Sequence, residues 1–189
     1  VSFNAISVDG DTSTNDTVVI LANGAAGGAP IVEGTDGAAA FEAAVTEICI
    51  ELAKAIVRDG EGATRLIEIA VTGAMNDDEA RRCAGVIANS ALCKTAWFGG
   101  DPNWGRIMAA AGTAGVAFDP SKVDIKIGKV TVCKKGMGVG RDAEEDARRA
   151  MNDPSYRITV KLGPGKAKST YTFCDIGEDY LRLNAAYRT

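Results

Sequence analysis

Apolar and polar positions alternate in blocks that predict a mixed chain of helices and strands. Ser2 to Val8 and Val18 to Ala22 are rich in β-branched and aliphatic residues and are predicted as strands. An almost wholly polar run, Asp9 to Thr17, lies between them. The small-residue stretch Asn23 to Pro30 reads as a loop. From Asp36 to Arg58, the residues Phe41, Val45, Ile48, Leu52 and Ile56 recur at steps of three and four, the spacing of an amphipathic helix, and Asp59-Gly60 supplies its stop. Arg65 to Val71 is a predicted strand. Asn76, followed by acidic residues, marks the start of a helix running to about Asn89. Trp104 to about Ala114 is another helix. After Asp119-Pro120 the order is strand, strand, helix, strand, strand: Val123 to Ile127, Lys129 to Cys133, Ala143 to Asn152, Ile158 to Leu162, and Ser169 to Phe173. Gly163 to Lys166 reads as the hairpin turn joining the last two strands. The tail from Asp179 alternates through Leu183, as a further strand would.

Bulk properties narrow the function. The 189 residues are 46% hydrophobic and 24% charged, ordinary for a globular protein. A net charge of −4, without a basic cluster interleaved with aromatics, gives no footprint for nucleic acid. The apolar runs are too short to span a bilayer, and no charged n-region precedes an apolar h-region, so neither a membrane role nor a secretory signal is expected. The five cysteines are widely spaced with no CxxC pair, as in a reducing, cytoplasmic setting. With no histidine in the chain, a Ser-His-Asp or Cys-His arrangement cannot be built from it, and histidine-ligated zinc is excluded. No metal and no organic cofactor is expected.

Three stretches carry candidate chemistry. The polar run Asp9-Gly10-Asp11-Thr12-Ser13-Thr14-Asn15-Asp16-Thr17 holds more hydrogen-bonding groups than a bend needs. It reads either as a platform for a site or as a solvated loop with Asx-type bonds. Gly60-Glu61-Gly62 sets one carboxylate between two glycines, where it could receive an ammonium group. On the residues alone, a plain surface turn is the favoured reading. Gly99 to Arg106 joins a tight loop to a helix start but lacks the Gly-Lys-Ser/Thr of a phosphate loop, so a rigid connection capped by Asn103 is preferred.

Taken together, four segments resemble the β chain of ornithine acetyltransferase, the bifunctional glutamate N-acetyltransferase of arginine biosynthesis. They are Ser2-Phe3-Asn4 with Val8 to Thr17, Arg58 to Thr64, Lys94-Thr95-Ala96 with Asp101 to Arg106, and Asn184 to Thr189. They occur in family order and cover nearly the whole chain. The resemblance implies an α/β (α+β) fold with a sandwich core like that of self-cleaving N-terminal-nucleophile enzymes and a small α+β C-terminal roll. It divides the chain into a core portion at 1–90, a small α+β domain at 91–175, and a tail at 176–189 that returns to the active site.

The same resemblance implies an activity: transfer of acetyl from N-acetylornithine to glutamate, with acetyl-CoA a donor in some members. The nucleophile is a threonine exposed when a precursor cleaves itself, and the two chains commonly assemble as a heterotetramer. Glu61, Asn184 and Thr189 match the family's substrate contacts, and Ser13 and Asn15 match polar positions that support the nucleophile in related self-cleaving hydrolases. The catalytic threonine is expected shortly before Val1, and the oxyanion donors on the α chain, so this chain alone is expected to be inactive. An N-terminal-nucleophile aminopeptidase of the related fold and a non-catalytic interaction module are the alternative readings.

Overall fold

The computed structural model describes residues 1–186. One seven-stranded sheet organises them, in the order β1-β7-β2-β6-β3-β4-β5. The strands are β1 (Ile6–Ser7), β2 (Leu66–Ala74), β3 (Asp124–Ile127), β4 (Val130–Lys134), β5 (Met137–Gly138), β6 (Ser155–Lys161) and β7 (Ala167–Cys174). The helices are α1 (Asp36–Arg58), α2 (Asp77–Ala88), α3 (Ala91–Phe98), α4 (Trp104–Gly112), α5 (Arg141–Ala150) and α6 (Glu178–Ala186). The sheet is mixed: β2 runs parallel to β6 and antiparallel to β7. It therefore joins a strand of the 1–90 stretch to strands of the 91–175 stretch.

Register explains where the core sits. Ile67 pairs with Tyr156 and Phe173, Ile69 with Ile158 and Tyr171, and Val71 with Val160. Paired residues project to the same face, so these side chains form one apolar layer. Cys83, Ala84 and Ile87 of α2 cover it, and Ala147 and Met151 close the layer at the α5 end. Local signals start the helices. Asn76 accepts the Glu79 amide at 2.8 Å, Ser90 accepts that of Cys93 at 3.4 Å, and Asn103 accepts that of Arg106 at 3.1 Å. The opposite sheet face is polar, with Glu68 ion-paired to Arg157. There α1 rests through Ala53 and Val57, beside a small cavity that Thr170 and Thr172 help to line.

Five expectations are corrected. Ser2 to Val8 is strand only at Ile6–Ser7, and Phe3–Ala5 before it is a turn of 3-10 helix. Val18 to Ala22 is not a strand: no strand among the described residues pairs with it, and Val18 to Leu21 are exposed. Gly163 to Lys166 does not close a hairpin. β2 is inserted between β6 and β7, and the link passes over its end, with Leu162 N–H donating to Thr72 O at 2.8 Å and Gly165 N–H to Gly73 O at 3.1 Å. The tail is the helix α6, not a strand: without a ladder partner, acidic residues in its first turn and an Arg182–Asp179 pair favour the helix. The stretch Ala91 to Phe98, assigned to no element from sequence, is the helix α3.

Candidate functional site at the Glu61 turn and the tail helix

Helix α1 ends at Arg58 with Asp59 as its cap, and the chain turns through Gly60-Glu61-Gly62 before entering β2. Asp175 anchors this turn from below. It is 1% exposed and accepts the Thr64 amide at 2.8 Å, the Arg65 amide at 2.9 Å and the Thr64 hydroxyl. A buried carboxylate with three donors is well satisfied and rigid. Arg65 adds a second tie, its Nε donating to Trp97 O at 2.9 Å. Gly62 has φ +66, and a Cβ there would lie 2.5 Å from the Tyr180 amide nitrogen. The sequence reading allowed close approach to a ligand at this turn. What approaches Gly62 is the backbone of α6.

That approach brings two predicted residues together. Asn184 of α6 donates to Glu61 Oε2 at 2.7 Å and to Tyr180 O at 3.1 Å. Tyr180 extends the chain of contacts, its hydroxyl donating to Asp9 Oδ2 at 3.0 Å. The opening bend, the Glu61 turn and the tail thus meet, although more than 100 residues separate the outer two from one another in sequence. Glu61 and Asn184 are exposed, so the arrangement is an open polar cluster at the surface. Burial, and then the Asp9 carboxylate with Asp11 and Glu61 nearby, push the Tyr180 phenol up to about 12.

The other predicted residues stand differently. Ser13 and Asn15 are exposed and bonded within their own turn: Asp16 accepts the Ser13 amide at 3.0 Å, and Ser13 Oγ accepts the Asn15 amide at 3.2 Å. None of these bonds reaches Glu61 or Asn184. Residues 13–17 thus hold Asx-type bonds within their own turn, while Asp9 joins the cluster around Glu61. Thr189 lies outside the described residues.

Sequence reasoning assigned no role to Lys94 or Asp175. Lys94 is 1% exposed. Its Nζ donates to Val8 O and to Cys174 O, each at 2.7 Å, and lies 5.2 Å from the Phe173 ring centroid. Burial lowers its pKa, against the opposing charges of Cys174, Asp175 and Asp9. Lys94 thereby ties the residue before Asp9 to the residue before Asp175. A signal was available: each is a lone charge within a stretch otherwise rich in small and apolar residues, Ala91 to Phe98 and Phe173 to Gly177. A charge in such a place needs partners.

Chemically, the cluster presents carboxylates and an amide, which suit an amino group and its neighbouring polar atoms. Among the described residues it presents no activated nucleophile. Burial raises the thiols of Cys83, Cys93, Cys133 and Cys174, the reverse of what a reactive cysteine requires. No cluster of three metal-binding side chains occurs among the described residues, and none of their helices is long and apolar enough to cross a membrane.

A mixed α/β domain with an exposed polar cluster, formed by the Glu61 turn, Asp9 and the tail helix, is the class that fold and geometry define. Comparison with known proteins gives the family. The ArgJ family matches residues 1–189, and the chain belongs to it. The arginine biosynthesis bifunctional protein ArgJ of Desulfotalea psychrophila is 47% identical over 188 residues, covering 100% of this chain and 48% of the relative. That of Geobacter sulfurreducens is 46% identical with the same coverage. The crystal structure of the arginine biosynthesis bifunctional protein argJ from Bacillus halodurans matches with a TM-score of 0.93 at 43% identity, covering 98% of this chain and 87% of that one. The chain therefore spans about half the length of the curated relatives it matches.

Proposed function

We propose that this chain forms the substrate-amine wall of a glutamate N-acetyltransferase that moves acetyl from N-acetylornithine to glutamate. The observation that carries the reading is the Asn184–Glu61 bond of 2.7 Å, which joins two family motifs from opposite ends of the sequence. Glu61 receives the substrate's amino group, and Asn184 orients its carboxylate. Thr189 completes that wall, while Ser13 and Asn15 orient the reacting groups.

The nucleophile is a threonine contributed from outside these residues. Its hydroxyl attacks the acetyl carbonyl and its own α-amine takes the proton; ornithine leaves with a proton, and an acetyl ester remains on the threonine. Donors on the α chain hold the oxyanion. The glutamate amine then attacks the ester, releasing N-acetylglutamate and restoring the hydroxyl. Acetyl-CoA is a second donor to be tested. The working form is a cytoplasmic heterotetramer of α and β chains, and this chain without its partner is inactive.

The test is kinetic, in the complete protein. N-acetylornithine with glutamate should yield N-acetylglutamate; acetate release alone would assign a hydrolase instead. Glu61→Ala should lower kcat/KM for N-acetylornithine by about 10- to 100-fold, chiefly through KM, because one charge-assisted contact is lost. Unchanged kinetics would remove Glu61 from the site.

A further inference from the structure

Helix α1 has apolar residues on two sides. Ala53 and Val57 are buried against the sheet. Roughly a third of a turn around the axis, by the 3.6-residue helical repeat, lies the stripe Phe41, Val45, Ile48, Leu52 and Ile56. This is the stripe that predicted the helix, and most of it faces water. Phe41 is 56% exposed, Ile48 59%, Leu52 54% and Ile56 49%. These four leave on the order of 400 Å² of apolar surface uncovered, as much as the largest patch of a typical monomer. A helix that is apolar on more than one side belongs inside a protein.

We infer that this stripe is the docking face for the remaining half of the protein, the half that this chain's relatives possess and these 189 residues do not include. The inference rests on the reading that the chain works together with that half. Length supports it: relatives matched over the whole chain are about twice as long, so a comparable mass must pack somewhere on this one. The helix charges argue against a membrane surface, since Asp36, Glu42, Glu47 and Glu51 outnumber Lys54 and Arg58 and anionic headgroups repel an acidic helix. Position links the face to the site. Ile56 ends the stripe five residues before Glu61, so a partner seated on α1 comes close to the Glu61 turn, where the proposed reaction needs the oxyanion donors of the other half.

The experiment uses the complete protein with Phe41 replaced by the photo-crosslinker benzoylphenylalanine, a change of similar shape that keeps the helix. After irradiation, mass spectrometry identifies the captured peptide. A peptide of the other half supports the inference; only a second copy of this chain, or no adduct, overturns it. In parallel, Leu52→Asp should reduce the amount of the other half held in the assembly at least tenfold, and wild-type retention would count against the docking face. The two proposals separate cleanly. An assembly that crosslinks through position 41 but makes no N-acetylglutamate keeps the face and refutes acetyl transfer. One that makes N-acetylglutamate without the adduct does the opposite.

Discussion

Replacing Lys94 by methionine keeps the length of the side chain and removes the ammonium. Two carbonyls, Val8 O and Cys174 O, then lose a donor at 2.7 Å. Val8 O keeps only the weak Cys174 thiol donor at 3.6 Å; each carbonyl left short of a donor costs about 1–2 kcal/mol, and relief from burying the charge returns part of that, for a net loss of about 1–3 kcal/mol. With a urea slope of about 2–3 kcal/mol/M, the unfolding midpoint of the complete enzyme should fall by roughly 1 M. On the proposed acetyl transfer, function should suffer as well, because Asp9 follows one carbonyl and Asp175 follows the other: with both loosened, KM for N-acetylornithine should rise more than kcat falls. A midpoint within about 0.2 M of wild type, together with an unchanged KM, would refute the role of Lys94 as the tie beneath the site.

Further outcomes follow from neighbouring contacts. Gly62→Ala should cost about 1–2 kcal/mol from left-handed backbone alone and push α6 away, so denaturant titration and KM should change together. Unaltered KM would show that α6 does not position Asn184. Tyr180→Phe bears on alkaline stability. The phenol's folded pKa is raised to about 12, above its ordinary 10, so its contribution is complete below pH 10 and is lost as pH climbs toward 12. The variant should lose less stability than wild type across that window, measured by thermal melts at stepped pH. Asp124 acts at the acid end. Hydrogen bonds from Lys134 and the Lys135 amide hold its carboxyl below the ordinary 3.8, so its contribution is present above pH 4 and fades as pH falls through the folded value. Asp124→Asn should flatten the acid limb of the melting profile, and an identical limb would refute the assignment.

Much of the local structure was readable from the chain. The extent of α1, the Asn76 cap of α2, the Asn103 cap of α4 and the strands β2, β3 and β4 all follow from spacing and capping, which act within a few residues. Resemblance singled out Glu61 and Asn184, and the structure brings the two side chains together. What failed depended on partners. Val18 to Ala22 has the composition of a strand, but a strand exists only where another chain segment completes its ladder. Alternation at Leu181 and Leu183 suggested a strand for the same segment that first-turn charges and a lone terminus made a helix. The glycine link after β6 suggested a hairpin because nothing local announces that β2 lies between the strands it joins.

The site divides in the same way. Sequence by itself determined which groups are present: carboxylates on a glycine turn, an amide near the end, no histidine, and a lysine and an aspartate set in apolar stretches. Only tertiary structure decided that Asn184 meets Glu61, that Tyr180 reaches Asp9, and that Lys94 bridges Val8 and Cys174. It also decided that the α1 stripe lies uncovered. Periodicity is a property of neighbouring residues, whereas burial and hydrogen-bond partnership belong to segments brought together from far along the chain.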